Sequence, residues 1–197
     1  MKTKSKALLM TLCAVLLVAA SVLGTMAYLT SQDSVKNTFS IGKIAITLDE
    51  AQVDADGKAQ MNVARVKENS YKLMPGHKYD KDPTVHVEKG SEDAYIFVKV
   101  ENGISDFEAD TKIAAQIAAE RWTALDGVAN VYYKEYSKDA DKNVDLVVFR
   151  NFTIAEGAES VSGWDTATNA NITITAYAIQ KDGFNDAKAA WTAAKFN

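Results

Sequence analysis

Cysteine and histidine are nearly absent from this 197-residue chain. The only cysteine, Cys13, lies in an apolar N-terminal segment, so the sequence beyond residue 27 contains no thiol. That absence excludes a disulfide-stabilised scaffold and a cysteine-based zinc site in the main body of the protein. The two histidines, His77 and His86, are a weak zinc signal without a fixed third ligand. The His-Glu-x-x-His pattern of a zinc peptidase helix is also missing.

Sequence motifs for other common chemistries are missing as well. The chain has neither a Gly-x-Ser-x-Gly nucleophile elbow nor a glycine-rich phosphate loop, and its carboxylates are scattered. Lysine and arginine form no cluster that would neutralise nucleic-acid phosphates. We therefore expect no enzymatic activity, no cofactor, no metal and no nucleic-acid partner.

Acidic residues outnumber basic ones, and the excess grows once the first 27 residues are set aside. The whole chain has a formal net charge of −4, whereas the remaining 170 residues carry 19 basic and 26 acidic side chains. All 18 aromatic residues lie in that remainder, enough for one sizeable core. Because 170 residues are too few for two ordinary domains, we predict one domain over residues 28–197.

The N-terminal segment, residues 1–27, has the layout of a secretory signal peptide. Three lysines precede an apolar run of 17 residues that ends at Leu23, and small residues follow. We predict removal of this segment at a site marked by Thr25 and Ala27, so that the mature protein starts at Tyr28. The alternative is a permanent membrane anchor, since a bilayer-spanning helix needs about 17–25 residues. An exported chain without cysteine in its mature part fits a bacterial surface.

Alternating apolar residues predict β-strands along most of the mature chain. The strongest patterns cover residues 94–100 and 172–178. The first is apolar on both faces, which predicts a central strand with packing on each side. Weaker patterns predict further strands at residues 37–48 (with a β-bulge at Gly42), 61–66, 84–88, 128–136 and 144–154. With turns such as Asp54 to Gly57 between them, the strands predict an all-β-dominated fold, an antiparallel β-sandwich.

Two helices interrupt the strand pattern. In residues 111–120, Ile113 and Ile117 fall on one face among alanines, which suits packing on a sheet, and Asp110 or Thr111 is the predicted cap. Residues 186–196 predict a short alanine-rich C-terminal helix.

Two polar groups of residues leave alternatives open. His77 lies in a Pro-Gly turn and His86 on a strand face, with Asp80 and Asp82 between them in sequence. They are either solvated surface histidines or, if their segments pair, part of a metal site. The second group has the alternating spacing of a calcium loop: Asp139, Asp141, Asn143 and Asp145. An EF-hand is excluded because the sixth position is not glycine and the twelfth is not glutamate, which leaves a solvated loop or weak calcium binding.

Three stretches, taken in order, resemble a known family. Residues 24–30 and 37–42 are similar to the exit of signal peptides cut by a SipW-type peptidase, with an aromatic residue just after the cut. Residues 73–82 are similar to a Leu-x-Pro-Gly-x-x-x-x-Lys-Asp segment, and the strand pattern of residues 172–180 fits. Together they resemble the TasA and camelysin family of secreted biofilm-matrix proteins of Gram-positive bacteria.

The resemblance implies a jelly-roll-like sandwich that assembles into extracellular fibres at the cell surface or in the biofilm matrix. The N-terminal segment of one subunit would add as a strand to the next. Carried over by position, this donor arm is residues 28–36, and Tyr28, Leu29 and Val35 are the inserted side chains. The alternative is a loose or self-packed terminus.

The partners implied are other copies of the chain and a SipW-type signal peptidase, with membrane contact only through an uncleaved signal helix. Two other functions stay open. One is a camelysin-like extracellular metallopeptidase that uses His77 and His86, and the other is a monomeric surface module that binds a partner or a glycan.

Overall fold

The structure is a computed structural model that describes residue 6 and residues 10–17, 43–164 and 171–196. The chain divides into two compact units, Met1–Ser40 and Ile41–Asn197. In the first unit residues 10–17 are helical and Cys13 is exposed. None of the helices within the described residues has both the length and the hydrophobicity needed to cross a membrane.

Several predicted features fall outside the described residues and stay predictions. They are the cleavage site (Thr25, Ala27 and Tyr28), the donor arm 28–36 with Leu29 and Val35, and the bulge at Gly42.

The regular secondary structure of the second unit is mainly antiparallel β-strand, which is consistent with the predicted all-β-dominated fold. The described residues form a three-stranded sheet in the order β1-β3-β7, a two-stranded sheet β2-β8, and a four-stranded sheet in the order β5-β6-β4-β9. The strands are β1 (Ile46–Asp49), β2 (Lys78–Asp80), β3 (Thr84–Val87), β4 (Ala94–Asn102), β5 (Thr123–Ala124), β6 (Val131–Tyr136), β7 (Val144–Val147), β8 (Asn151–Thr153) and β9 (Ile172–Gln180).

Strand β4 is the central strand that its two apolar faces predict. It pairs with β9 over its whole length, from Ala94 opposite Gln180 to Asn102 opposite Ile172, and with β6 on its other side. Successive side chains of a strand point to opposite faces, so Ile96 enters one core while Phe97 enters the other. Both side chains are completely buried.

The larger core joins the three-stranded and four-stranded sheets. Val85 and Val87 of β3 pack in the same cluster as Ile96 of β4. Helix α1 (Ile113–Ala119) adds Ile113 and Ile117, both buried as the sequence predicts. Its predicted cap is wrong: Lys112 occupies the cap position, and the carboxylate of Glu108 accepts the hydrogen bond from the Ile113 N–H at 2.9 Å.

The smaller core lies on the opposite face of the four-stranded sheet. Helix α2 (Ala187–Ala194) covers this face, and the Trp191 ring lies 5.1 Å from the Phe97 ring between centroids. Asp186 caps the helix by accepting a hydrogen bond from the Ala189 N–H at 2.7 Å. The C-terminal helix is therefore confirmed.

Two predicted strands differ in the structure. Residues 61–66 form a turn with exposed Met61, and Val66 alone makes an isolated bridge, to Glu50. The segment predicted as one strand at 144–154 is divided into β7 and β8, because β7 pairs with β3 whereas β8 pairs with β2 in another sheet. Both outcomes depend on which partner strand lies close enough to form hydrogen bonds. The local sequence does not carry that information.

Two glycines with the same backbone conformation allow a test of packing at the two-stranded sheet. Gly57 and Gly90 have φ of +73° and +74°, and an added Cβ would collide with the Tyr79 ring at Gly57 but meet nothing within 4 Å at Gly90. We expect Gly90→Ala to cost about 1–2 kcal/mol through its left-handed backbone. Gly57→Ala should cost about 1–3 kcal/mol more, measured by urea unfolding. An equal loss of unfolding free energy in the two variants would contradict the close packing of Tyr79 on Gly57.

Candidate functional site

The longest strand edge in the described part of the chain belongs to β9. The Gly103 N–H donates to the Asn171 carbonyl at 2.9 Å, and the Lys181 N–H donates to the Asp93 carbonyl at 2.8 Å. Because antiparallel bonding alternates along a strand, the odd-numbered residues of β9 bond to β4. The backbone groups of its even-numbered residues therefore point away from β4, and no other described strand pairs with them. These residues are Ile172, Ile174, Ala176, Ala178 and Gln180.

The outer edge of β1 is closed by residues 65–67. The Lys67 ammonium donates to the Leu48 carbonyl, and Glu50 and Val66 exchange backbone hydrogen bonds of 2.9 and 2.8 Å. An exposed edge with free backbone groups attracts other strands, and lysine on an edge is a common way to prevent that pairing.

The outer edge of β2 is closed by the turn at Gly57. The Asp80 N–H donates to the Gly57 carbonyl at 2.8 Å, and the Lys58 ammonium donates to the Lys78 carbonyl at 2.8 Å. The turn predicted at residues 54–57 thus has a structural role, because it satisfies the backbone of a short strand.

Helix α1 and the residues after it satisfy outward backbone groups of β7 and β8. The Trp122 indole donates to the Val147 carbonyl at 2.7 Å, and the Gln116 side chain donates to the Asn151 carbonyl at 2.8 Å. The remaining edge strand of the four-stranded sheet, β5, is only two residues long. Among the described strands, β9 therefore combines length with an edge that no described residue covers.

A cleft of about 1410 Å³ lies beside the first half of β9. Its walls come from the end of β1, from residues 67–73 and from residues 171–174. Strands β1 and β9 approach each other there without backbone pairing between them. We call this space the β9 cleft; its apolar lining is Leu48, Leu73, Ile104, Phe152, Trp164, Ile172 and Ile174.

A charged group is buried in the wall of the β9 cleft. The Lys81 ammonium lies 2.5 Å from the Glu50 carboxylate, and these residues are only 8% and 4% exposed. The Asn69 amide donates to the other oxygen of the same carboxylate at 3.0 Å. Tyr71 lies beside them, and burial, followed by the negative charge of Glu50, raises the pKa of its phenol.

His86 bridges the three strands of the three-stranded sheet. One ring nitrogen lies 2.8 Å from the Asp49 carboxylate of β1, and the other lies 2.7 Å from the Asp145 carboxylate of β7. Burial lowers the pKa of His86, but the hydrogen bonds to the two carboxylates outweigh burial and raise it overall. The Arg65 guanidinium contacts Asp49 from the other side and bonds to Asp82 at 2.9 Å.

His77 has different surroundings. It precedes β2, and its Nδ1 lies 3.1 Å from the Pro75 carbonyl. His86 thus lies within the three-stranded sheet and His77 just before the two-stranded sheet, and they have different partners. Within the described residues no three His, Cys, Asp or Glu side chains converge on a position that could hold a metal ion.

The polar residues with calcium-loop spacing make hydrogen bonds within the protein. Asp139 accepts the Asp141 and Lys142 N–H groups at 2.9 and 3.0 Å, and these bonds lower its pKa. Asn143 accepts the Lys89 N–H at 3.0 Å, and Asp145 faces His86. Their oxygens thus point to separate partners.

Sequence reasoning missed the buried group of Glu50, Asn69 and Lys81. Its members come from three separate segments, and no spacing rule connects them. The alternation of β9 was visible in the sequence, but the open side of that strand was not.

Comparison with known proteins yields no match: no family model, curated protein or solved structure is similar to this chain.

The His86 bridge predicts that stability depends on pH. Because the folded state raises the pKa of His86 above its ordinary 6.5, its stabilising contribution is complete below that value and is lost as pH rises through the raised pKa. We expect the melting temperature to fall over this range in the wild type. The fall should be smaller in His86→Gln, which cannot carry the charge.

The matched control is His77→Gln, which removes the other histidine and should keep the wild-type pH dependence. Thermal unfolding monitored by circular dichroism from mildly acidic to mildly alkaline pH gives the comparison. If His86→Gln and wild type lose stability in parallel, the bridge does not contribute.

Proposed function

We propose that this protein is a secreted structural protein of the bacterial cell surface or biofilm matrix, which assembles into fibres by strand addition between subunits. The donor is the arm of residues 28–36, freed when the signal peptide is removed. The acceptor is the outer edge of β9 together with the β9 cleft. Two sequence features support the proposal. One is the signal-peptide pattern of residues 1–27, and the other is the series of three stretches that resemble the TasA and camelysin family.

The single observation that carries the proposal is the contrast between β9 and the other strand edges. In the described residues the outward backbone groups of β2 and β8, and some of those of β1 and β7, bond to a side chain or a neighbouring segment, whereas β9 offers the outward backbone groups of five residues. Unpaired N–H and C=O groups along a long, regular strand are the template for an added strand.

The β9 cleft supplies a place for the side chains of an added strand. Main-chain hydrogen bonds give affinity in strand addition, and pockets for alternate side chains give specificity. The apolar wall that includes Leu48, Phe152 and Ile174 suits the side chains of Tyr28, Leu29 and Val35. The polar residues 31–34 between them would face solvent or the hydrophilic rim.

A jelly-roll-like sandwich is part of the proposal. The shared core of the three-stranded and four-stranded sheets supports it, because Val85 of β3 and Ile96 of β4 lie in one cluster. An added strand along β9 would extend the four-stranded sheet at its outer edge, beside the β9 cleft.

Removal of the donor arm tests the proposal directly. We expect the mature chain 28–197 to form filaments in negative-stain electron microscopy. A chain that starts at residue 37 should stay a folded monomer, because its edge strand remains but no arm is available. A mature chain that forms no filaments at any pH or salt concentration would refute the proposal.

A substitution on the acceptor edge gives an independent prediction. Ala176→Pro removes one outward-pointing N–H of β9 and leaves the hydrogen bonds to β4 intact. We expect the monomer to remain folded and filament growth to fall at least tenfold by light scattering. The control Ala176→Gly retains the N–H and should still polymerise, so equal growth of the two variants would exclude β9 as the acceptor.

A further inference from the structure

The buried group of Glu50, Asn69 and Lys81 places an amine and a carboxamide on one carboxylate. Lys81 Nζ lies 2.5 Å from one Glu50 oxygen, and Asn69 Nδ2 lies 3.0 Å from the other. Lys81 and Glu50 are each more than nine-tenths buried. A nucleophile and an electrophile thus each lie within one hydrogen bond of the same proton-transferring group.

The carboxamide of Asn69 is held in a defined orientation. Its Nδ2 also donates to the Ala51 carbonyl at 2.8 Å, and its Oδ1 accepts the Val53 N–H at 3.0 Å. A backbone N–H on that oxygen draws electron density away from Cγ and stabilises negative charge that develops on the oxygen when a nucleophile attacks. The Val53 N–H therefore has the position of an oxyanion-hole donor.

A pair of aromatic rings lies on the Lys81 side of the group. Lys81 Nζ lies 5.8 Å from the centroid of the Tyr71 ring, which packs edge-on against Phe152 at 5.2 Å. These rings place apolar surface beside the amine.

We propose that Lys81 and Asn69 become joined by an intramolecular isopeptide bond, with Glu50 transferring the protons. The Lys81 ammonium first gives a proton to the Glu50 carboxylate, and the neutral amine attacks Cγ of Asn69 to form a C–N bond. The tetrahedral intermediate carries its negative charge on Oδ1. Glu50 then passes its proton to Nδ2 and takes one from the Lys81 nitrogen, and the bond from Cγ to Nδ2 breaks as Oδ1 becomes the carbonyl oxygen of the new amide. Ammonia leaves with the proton as ammonium, so atoms and charge balance without any co-reactant.

The bond would tie residues 67–70 to the end of β2. Residues 65–67 close the edge of β1, and residues 67–73 form one wall of the β9 cleft. A covalent link at this position fixes that wall to the two-stranded sheet. The inference goes beyond the proposed assembly and does not depend on it.

Intact-mass spectrometry of the purified, folded full chain under denaturing conditions tests the bond. We expect a mass lower than that of the sequence by one ammonia, about 17 Da. A tryptic digest should contain a branched peptide in which residues 68–72 are linked to residues 79–89, with Lys81 uncleaved. A wild-type chain with its full sequence mass and no branched peptide overturns the proposal, whatever the variants do.

Variants assign the roles of the individual residues. For each variant, the difference between the measured mass and its own sequence mass is compared with the same difference in the wild type, so that any N-terminal processing affects both equally. Glu50→Gln and Lys81→Met should retain the ammonia, whereas Lys72→Met, which alters another lysine of the same cleft wall, should still lose it. Loss of ammonia that persists in Lys81→Met indicates a succinimide at Asn69 and contradicts the cross-link. Loss that persists in Glu50→Gln contradicts the role of Glu50.

Discussion

The pairing of β4 with β9 is the constraint on which the rest of this structure depends. All nine residues of β4 face a residue of β9, and both faces of β4 are buried over residues 94–98. Such a strand holds the two cores together because neither can lose it without exposing apolar side chains to water. The same pairing uses only one side of β9, so the other side becomes the outer boundary of the four-stranded sheet.

The segments between the strands serve mainly to satisfy backbone groups. The long connection from β1 to β2 returns to close the edges of both strands, through Lys67 and Lys58 respectively. Helix α1 and Trp122 do the same for β7 and β8. Buried or semi-buried N–H and C=O groups need partners, and short strands gain little by pairing further. The absence of such a partner on β9 among the described residues is what makes this edge a candidate for assembly.

Polar chemistry is concentrated at the end of β1. Adjacent residues of a strand point to opposite faces, so Asp49 reaches His86 and Arg65 on one side while Glu50 enters the buried group with Asn69 and Lys81 on the other. Each carboxylate is matched by a cation, because an unpaired charge at these positions would be costly. The neighbouring residues Asp49 and Glu50 thus connect the pH-dependent His86 bridge to the buried group of Glu50, Asn69 and Lys81.

Local sequence was sufficient to predict strands β3, β4 and β9, helices α1 and α2, and the turn at Gly57. Apolar periodicity and turn residues act over a few neighbours, and these elements follow them. The tertiary structure alone decided that residues 61–66 form no strand, that 144–154 divides between two sheets, and that no described strand pairs with the outer edge of β9. It also brought together Glu50, Asn69 and Lys81. Each of these outcomes depends on which distant segment comes within hydrogen-bonding distance, and that is set by the packing of the whole unit.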